Sequence, residues 1–346
     1  MSEQRARVDI VRFIERACRT EYGEHVTCDW WQPAFLLMPV FHTYRVAQED
    51  NDVRGIKRGD LLRKYNEALE GICKKNGKSD IGAYTSAYMG TADDPNPNVY
   101  GMAGDKEQAR IVFDRLVKMI RRSEELRGMV KGVLRDRIDF ENGFYQVLSA
   151  DTETAHGLNP SFKVFDEAWN QTDYKLFEAV SDSPSRAESL ELIITYAGIE
   201  MHEGLPLWDK YQRGMESPNR VLLMDEEGNW TDAALAMIER TLTSAPHLEK
   251  YIADSPLKKP KHGPEYPGWE EGDTVWTCDL GTTYIFWSHV NLARWVDQAY
   301  LDSQKLKLPR VLYNRMHRNR WPVGEGSFVT EAQVIACEEL WTRLFQ

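Results

Sequence analysis

The sequence predicts an α/β fold in which a largely parallel sheet is flanked by helices, and two observations support this prediction. Short apolar runs that suit strands alternate with longer segments whose apolar residues recur at helical spacing. The 346 residues also include 42% hydrophobic residues, which is enough to bury a large core. This composition excludes a disordered chain, a collagen-like repeat and a disulfide-stapled mini-protein.

The predicted elements follow one another in this alternation. Residues 8–17 carry apolar side chains at helical spacing and predict an amphipathic helix. A second apolar block covers residues 30–41, and residues 65–73 predict a short strand that leads into a glycine- and lysine-containing loop. The remaining predicted elements are helices at 81–89 and 105–122, and strands at 98–103, 144–149, 163–165 and 190–196.

Four prolines between residues 254 and 272 interrupt any regular element and predict a boundary. We therefore expect a main domain over residues 1–255 and a smaller helical subdomain of the linker or lid type over residues 256–346. Two helices are predicted in the smaller part, at residues 288–304 and 330–345. The second begins with Thr330 and Gln333 in the spacing of a capping box.

Charge and cysteine usage limit the function classes. The 43 basic and 54 acidic residues leave a net charge of -11, which excludes a protein that coats nucleic acid over its whole surface. Five scattered cysteines without a CxxC pair predict a reducing compartment and no structural zinc site. The N-terminus lacks the apolar core of a secretory signal, and no apolar run approaches the roughly 20 residues of a membrane helix. We expect a soluble, cytosolic protein.

The most informative stretch is residues 74–79, which read Lys-Lys-Asn-Gly-Lys-Ser. In a phosphate-binding loop, a glycine such as Gly77 lets successive backbone N–H groups and the next helix N-terminus approach an anion. Lys78 would place its positive charge on the phosphates, and the Ser79 hydroxyl would bind magnesium. The strict GxxxxGK[ST] spacing is not met, because Gly71 lies one residue too far from Gly77. Taken alone, the loop is equally compatible with a solvated Gly-Lys turn.

A pair of acids provides the second half of the predicted site. Residues 162–165 form a short apolar strand that ends in Asp166 and Glu167. Asp166 would hold magnesium through water, and Glu167 would polarise the attacking water. The alternative is a surface acidic turn, but an acid pair that follows a phosphate loop within an α/β pattern favours an ATPase site. Thr195, at the end of the strand 190–196, could sense the γ-phosphate, although that segment alone also fits a buried strand.

The order of these motifs resembles the large terminase subunit of tailed bacteriophages, the motor that pumps DNA into procapsids, over nearly the whole chain. Residues 30–33, Trp-Trp-Gln-Pro, are similar to the glutamine motif that contacts the adenine in this family. Residues 74–79 are similar to its deviant Walker A loop. The further segments that carry the resemblance are 105–113 (DxxQA helix), 156–160 and 164–167 (approach to Walker B), 195–198 (coupling motif) and 309–321 (before the nuclease domain).

The resemblance implies roles for individual residues. Those implied in nucleotide binding are Trp31, Gln32, Lys75, Asn76, Gly77, Lys78 and Ser79. Those implied in catalysis are Lys74, Lys78 and Glu167, with Ser79 and Asp166 at the metal and Thr195 and Gly198 in coupling. Lys74 stands where the family more often has an arginine that acts as a cis finger. The candidates for an arginine acting in trans on a neighbouring subunit are Arg110, Arg115, Arg121, Arg122 and Arg127.

The resemblance also implies a P-loop ATPase that uses ATP and Mg²⁺ to translocate double-stranded DNA. The implied partners are a small terminase subunit, the portal protein and further copies of the same chain in a ring on the procapsid, in the host cell cytoplasm and without membrane. The large terminase of this family continues into a nuclease domain with a carboxylate cluster, and no strand-borne aspartate cluster follows Glu270 in this sequence. We therefore expect ATP hydrolysis without DNA cleavage, with the nuclease domain separate or missing.

Two other function classes remain open at this point: a helicase-like nucleic-acid ATPase, and a nucleotide-binding assembly module without turnover. Residues 258–261 and the arginines of residues 310–320 are possible DNA contacts, but a solvated charge run is the preferred interpretation of both. These basic residues are Lys258, Lys259, Lys261, Arg310, Arg315, Arg318 and Arg320.

Overall fold

The computed structural model describes residues 8–148, 158–181 and 183–322. The strands in these ranges are β1 Tyr44–Val46, β2 Leu61–Arg63, β3 Glu67–Gly71, β4 Asn98–Met102, β5 Val130–Val133, β6 Arg137–Phe140, β7 Phe144–Leu148, β8 Phe162–Asp166, β9 Leu190–Thr195, β10 Arg220–Met224, β11 Val275–Asp279 and β12 Thr283–Ser288. The helices are α1 Ile10–Ala17, α2 Met38–His42, α3 Lys78–Tyr88, α4 Lys106–Arg122, α5 Glu124–Gly128, α6 Lys175–Ala179, α7 Pro206–Glu216, α8 Asp232–Ser244, α9 Glu249–Ile252, α10 Gln298–Lys307 and α11 Arg310–His317.

A ten-stranded sheet forms the centre of the described structure, in the order β10-β11-β12-β3-β9-β8-β4-β7-β6-β5. The strands from β12 to β7 in this order pair in parallel, and the pairs at both edges are antiparallel. The central strands β3, β8 and β9 are buried almost throughout, as expected for a parallel sheet covered on both faces. The predicted α/β class with a largely parallel sheet is confirmed.

Helices cover both faces of this sheet. Apolar side chains of α1, α3, α4 and α8 belong to the core on one face, whereas those of α6 and α7 belong to the core on the other. Helix α4 begins where the sequence predicts it, because the Asp105 carboxylate accepts a hydrogen bond from the Gln108 N–H at 2.8 Å. Each strand predicted from the sequence overlaps an observed strand. The predicted helix at 81–89 is α3, which begins three residues earlier.

The predictions for the C-terminal part need correction. The segment 288–304 is not one helix: β12 ends at Ser288, and α10 begins only after Asp297, whose carboxylate caps the Tyr300 N–H at 2.7 Å. The intervening backbone has other partners, since the Ala293 N–H donates to the Asn76 side chain at 3.0 Å. The predicted helix at 330–345 lies outside the described residues.

The boundary predicted at residue 255 does not divide the described structure into two bodies. Strands β11 and β12 lie beyond it, yet β12 pairs in parallel with β3 at the centre of the sheet. The prolines at 256–267 therefore interrupt the chain without separating a domain. Of the described α-helices after them, α10 overlaps the predicted helix at 288–304, and α11 was not predicted. None of the described helices combines the length and the apolar character needed to cross a membrane.

A glycine at the end of β3 allows close packing between two strands of this sheet. A Cβ at Gly71 would lie 2.0 Å from a ring carbon of Trp287, which is fully buried on the paired strand β12. We predict that Gly71→Ala lowers the free energy of unfolding by about 3 kcal/mol, because the rigid ring and both strands would have to shift. Urea unfolding of the purified protein measures this loss.

Gly132→Ala is the matched control, since Gly132 also lies in a strand of the same sheet and a Cβ added there would meet no atom within 4 Å. We expect this control to change stability by no more than about 0.5 kcal/mol. Equal effects of the two substitutions would contradict the packing argument.

A carboxyl group is buried in the centre of the sheet. Glu70 on β3 is 0% exposed, and neither of its carboxylate oxygens has a hydrogen-bond partner among the described residues. Burial raises the pKa of Glu70 from its ordinary 4.5 to about 8, opposed by the nearby Lys78 and reinforced by Asp166. The folded protein therefore keeps a proton that the unfolded chain loses, and the stability due to this proton declines as the pH rises from about 4.5 to about 8.

We predict that Glu70→Gln flattens this decline, because the amide does not titrate. Relative to the wild type, the free energy of unfolding of the variant should increase by at least about 1 kcal/mol between pH 5.5 and pH 8. Urea unfolding at several pH values measures this difference, and the exposed Glu141→Gln serves as the control. Parallel stability curves for the Glu70 variant and the wild type would show that Glu70 is not the titrating group.

Candidate nucleotide-binding site

The predicted phosphate loop connects the carboxyl end of β3 to the N-terminus of α3. Gly77 and Lys75 both have left-handed backbones, with φ of 89° and 71°, so the chain makes a tight turn just before α3. A loop between a parallel strand and a helix N-terminus directs backbone N–H groups and the positive end of the helix dipole at one point. The structure thus gives residues 74–79 the local geometry of an anion-binding loop, although their spacing from Gly71 departs from the standard pattern.

Neighbouring segments hold the loop in place. The side chain of Asn76, which is 1% exposed, donates to Asn291 at 3.0 Å and accepts from the Ala293 N–H at 3.0 Å. The Lys74 N–H donates to the Met316 carbonyl of α11 at 2.6 Å. Asn76 is therefore an internal support of the loop, and its predicted contact with nucleotide is not formed by its side chain, whose amide is already engaged.

Lys78 points into the concavity of its own loop. Its Nζ lies 3.3 Å from the Ile72 carbonyl and 3.4 Å from the Cys73 carbonyl, and 4.9 Å from the centre of the Tyr196 ring. The residue is only 6% exposed. A buried ammonium group that is held by weak carbonyl contacts can move to a phosphate without losing a strong partner.

The loop and the predicted acid meet in space. The Ser79 Oγ donates to Asp166 Oδ2 at 3.0 Å, across 87 residues of sequence. Asp166 is 2% exposed, and its Oδ1 has no hydrogen-bond partner among the described residues. Burial and the neighbouring Glu167 raise the pKa of Asp166 from its ordinary 3.8 to about 6, although Lys78 and Ser79 lower it. A hydroxyl next to a carboxylate with a free oxygen is the type of oxygen-donor set that magnesium prefers, so these residues fit this ion.

Glu167 has a strained backbone and its own partners. Its φ of 55° and ψ of 47° place it in the left-handed region, which is uncommon for a residue with a side chain. Its Oε2 accepts a hydrogen bond from the Trp169 ring N–H at 2.5 Å, and its N–H donates to the Ile194 carbonyl at 2.9 Å. The two adjacent acids therefore point to different partners, one to the Ser79 hydroxyl and the other to Trp169.

The predicted coupling motif lies beside this acid pair. Thr195 is fully buried, and its Oγ1 accepts from the Trp169 N–H at 3.2 Å. A Cβ at Gly198 would lie 2.7 Å from the Trp321 ring, so only glycine allows this contact. Residues 195–198 thus connect the segment that follows the acid pair, through Trp169, to the segment after α11, through Trp321.

The adenine motif is supported only in part. Trp31 is 0% exposed and stacks on Phe286 with ring centroids 5.7 Å apart, so it is a core residue and its predicted contact with nucleotide is wrong in this structure. Gln32 lies beside the loop: its Nε2 is 3.9 Å from the position of a Cβ at Gly77, and its Oε1 accepts from the Asp29 N–H at 2.9 Å. The physical reason for the difference is the helical turn at residues 32–37, which buries the apolar side chains and leaves the amide near the loop.

Sequence reasoning missed Trp295. Its ring lies over Gly77, where a Cβ would be 3.3 Å from it, and its ring N–H donates to the Lys75 carbonyl at 2.7 Å. It is 52% exposed. Its chain neighbours Arg294 and Val296, but not Trp295 itself, line a cavity of about 580 Å³ together with Asp29, Tyr266 and others. No local signal could have found Trp295, because it lies 220 residues from the loop and in a predicted helix.

The predicted trans arginines lie in α4 or shortly after it. Arg110 pairs with Asp114 and Asp136, and Arg115 pairs with Asp80 in the first turn of α3. Arg127 donates to the Arg121 carbonyl. Arg121 and Arg122 are exposed at the end of α4.

Two of the arginines named as possible DNA contacts are buried, which contradicts both that role and the preferred interpretation as a solvated charge run. Arg315 is 3% exposed and Arg318 is 5% exposed, so neither can line a channel. Arg318 instead binds Asp273 through two nitrogens at 3.0 and 3.1 Å. Burial alone decides this correction, since exposed and buried arginines cannot be told apart in a basic run of sequence.

Comparisons with known proteins find relatives of this chain in one family. Residues 49–212 match the family model described as the ATPase domain of the terminase large subunit. The chain is 24% identical over 263 residues to the large terminase subunit of Enterobacteria phage HK97, a match that covers 72% of this chain and 48% of that protein. The chain thus spans about half the length of this relative.

Solved structures of large terminases are also similar to this chain. That of bacteriophage HK97 is 17% identical with a TM-score of 0.48, over 88% of this chain and 71% of that one. That of a thermophilic bacteriophage, solved in complex with ADP, is 10% identical with a TM-score of 0.43, over 74% of this chain and 48% of that one. The resemblance seen in the sequence is confirmed by the family match, in which residues 49–212 are similar to the ATPase domain of the terminase large subunit.

Proposed function

We propose that this chain binds ATP with Mg²⁺ and hydrolyses it as the ATPase of a viral DNA-packaging motor. The observation that carries the proposal is the contact between Ser79 and Asp166 next to the buried Lys78. It brings a phosphate loop and a metal-binding carboxylate to one edge of the sheet, at the carboxyl ends of β3 and β8. This is the arrangement that phosphoryl transfer requires, since catalysis there depends on positioning and charge.

Each residue has a separate role in this proposal. Ser79 and Asp166 would hold the magnesium ion, which would neutralise the charge that develops on the phosphates. Lys78 leaves its carbonyl contacts and binds the phosphate oxygens, while the N–H groups of residues 75–79 hold the triphosphate. Glu167 orients the attacking water and accepts its proton, and Lys74 supplies the second positive charge from the loop.

The base would lie against the Trp295 ring, near the cavity that Asp29 and Arg294 line. This ring is half-exposed next to Gly77, so an adenine could stack on it at the end of the phosphate loop. Asp29 supplies a hydrogen-bond acceptor in the same cavity, because its side chain is 4% exposed and its Oδ2 has no partner among the described residues. Gln32 connects the two features, since it contacts Asp29 and lies next to Gly77.

The family match supports double-stranded DNA as the substrate that is moved. We propose a small terminase subunit and a portal protein as the partners. We propose that copies of the chain form a ring on the procapsid in the host cytoplasm, and that Arg121 or Arg122 acts in trans because both are exposed at the end of α4. A net charge of -11 is compatible with this function, because only the residues that line the channel need to contact DNA phosphates.

The proposal predicts ATP turnover whose rate per molecule rises steeply with protein concentration, because a neighbouring subunit completes the site. Phosphate release is measured over a range of protein concentrations, with Mg²⁺. We expect Lys78→Ala to lower kcat at least about 100-fold through the loss of phosphate charge stabilisation. Lys131→Ala is the control, since Lys131 is exposed on β5 at the far edge of the sheet.

Glu167→Gln separates binding from chemistry within the same experiment. We expect it to lower kcat by about 100-fold or more and to leave the Kd for ATP within about threefold of the wild type. Stimulation by double-stranded DNA without strand separation supports a packaging motor, whereas strand separation would favour a helicase. ATP binding without turnover at any protein concentration would reduce the function to a nucleotide-binding assembly module.

A further inference from the structure

Arg315 is a buried cation that has no role in the proposed reaction as described above. It lies on α11, 3% exposed, and its Nε has no hydrogen-bond partner among the described residues. Its guanidinium group donates a long hydrogen bond to the Ala197 carbonyl at 3.4 Å, in the middle of the coupling motif. A guanidinium group that is buried with an unpaired nitrogen costs stability, so packing alone does not explain an arginine here.

Two aromatic rings hold the guanidinium group instead. Its central carbon lies 4.5 Å from the centroid of the Trp169 ring and 5.1 Å from that of Tyr196. The two rings are 5.6 Å apart and inclined by 30°. A desolvated cation over such faces is attracted by the ring electrons and holds the rings in place.

These rings belong to the hydrolytic end of the site. Trp169 donates its ring N–H to Glu167 Oε2 at 2.5 Å, and Lys78 Nζ lies 4.9 Å from the centroid of the Tyr196 ring. The charge of Glu167 also acts on Arg315: burial lowers the pKa of the arginine, while Tyr196 and Glu167 raise it. Arg315 thus interacts electrostatically with Glu167. The Trp169 ring contacts both Arg315 and Glu167, and the Tyr196 ring contacts both Arg315 and Lys78.

The same helix also contacts the phosphate loop. Met316, the next residue along α11, accepts a hydrogen bond from the Lys74 N–H at 2.6 Å. Consecutive residues of α11 therefore bind the two halves of the nucleotide site, Arg315 the acid end and Met316 the loop. A change in the position of either half must move or strain α11.

We propose that Arg315 is a positioning residue for Glu167: its guanidinium group fixes Trp169 and Tyr196 so that Trp169 directs the Glu167 carboxylate, and α11 connects this restraint to the phosphate loop. This inference rests on the proposed ATP hydrolysis. It assigns Arg315 no contact with the nucleotide, so its loss should affect the chemical step more than binding.

The test compares Arg315→Met and Arg315→Lys with the wild type in ATP turnover, with kcat, KM and the Kd for ATP measured per folded molecule. Methionine keeps the length and the apolar stem but removes the charge. We expect it to lower kcat by about 10- to 100-fold and to leave KM and Kd within about threefold. Lysine restores a cation over the rings and should recover part of the lost kcat.

Arg318→Lys is the matched control, because Arg318 is also buried at the end of α11 but binds Asp273, away from the acid pair. We expect it to lower the Tm and to leave kcat per folded molecule unchanged. A loss of kcat equal to that of Arg315→Met would overturn the inference, since any disturbance of α11 would then suffice. Unchanged kcat in Arg315→Met with an active wild type would also overturn it.

Trp169→Phe provides a second test if Arg315→Met does not fold. Phenylalanine keeps an aromatic face under Arg315 and removes the N–H donor to Glu167, so we expect a lower kcat with unchanged KM. An unchanged kcat would overturn the inference. A wild type without turnover at any concentration would overturn the proposed hydrolysis and this inference together, whereas an active wild type with normal variants would overturn the inference alone.

Discussion

The hydrogen bond between Ser79 and Asp166 is the contact on which the interpretation of this molecule depends. It exists only because β3 and β8 lie on either side of β9 in a parallel arrangement, which brings the ends of both strands to the same edge. Neither residue is informative alone, since a serine at a helix start and an aspartate at a strand end are both common. The contact between them requires the central parallel sheet, so the site forms only if the sheet pairs in this order.

The same arrangement places charge where a purely structural core would have none. Lys78 and Asp166 are both nearly buried, and Glu70 lies fully buried beneath them. Burying such groups is costly, and the raised pKa values of both acids, about 8 for Glu70 and about 6 for Asp166, reflect that cost. A triphosphate with its magnesium ion would provide an anionic partner for Lys78 and a ligand for Asp166 Oδ1, which has no hydrogen-bond partner among the described residues. We therefore interpret the poorly satisfied centre of the sheet as a feature of nucleotide binding.

The sequence was sufficient for the parts of the site that are local, and insufficient for the parts that depend on distant segments. The strand, loop and helix around Lys78 could be predicted, because helix starts and glycine turns have local signals. Trp295 could not, since only the folded chain brings residues 289–297 to Gly77. Trp31 shows the opposite error: its motif was visible, but burial in the core decides that it cannot contact a ligand.

The strands β11 and β12 show why the domain boundary could not be predicted either. Prolines mark breaks in regular structure, but whether the chain returns to the same sheet depends on pairing partners far away in sequence, here β12 with β3. Because β12 returns to the centre, the loop after it reaches Asn76, and α11 reaches both the Lys74 N–H and the Ala197 carbonyl. The residues after 255 therefore support the candidate nucleotide site through these hydrogen bonds. Any movement of α11 is mechanically linked to both the loop and the acid pair. A motor needs such a link, because the energy of hydrolysis becomes useful only when a change at the phosphates displaces a rigid element.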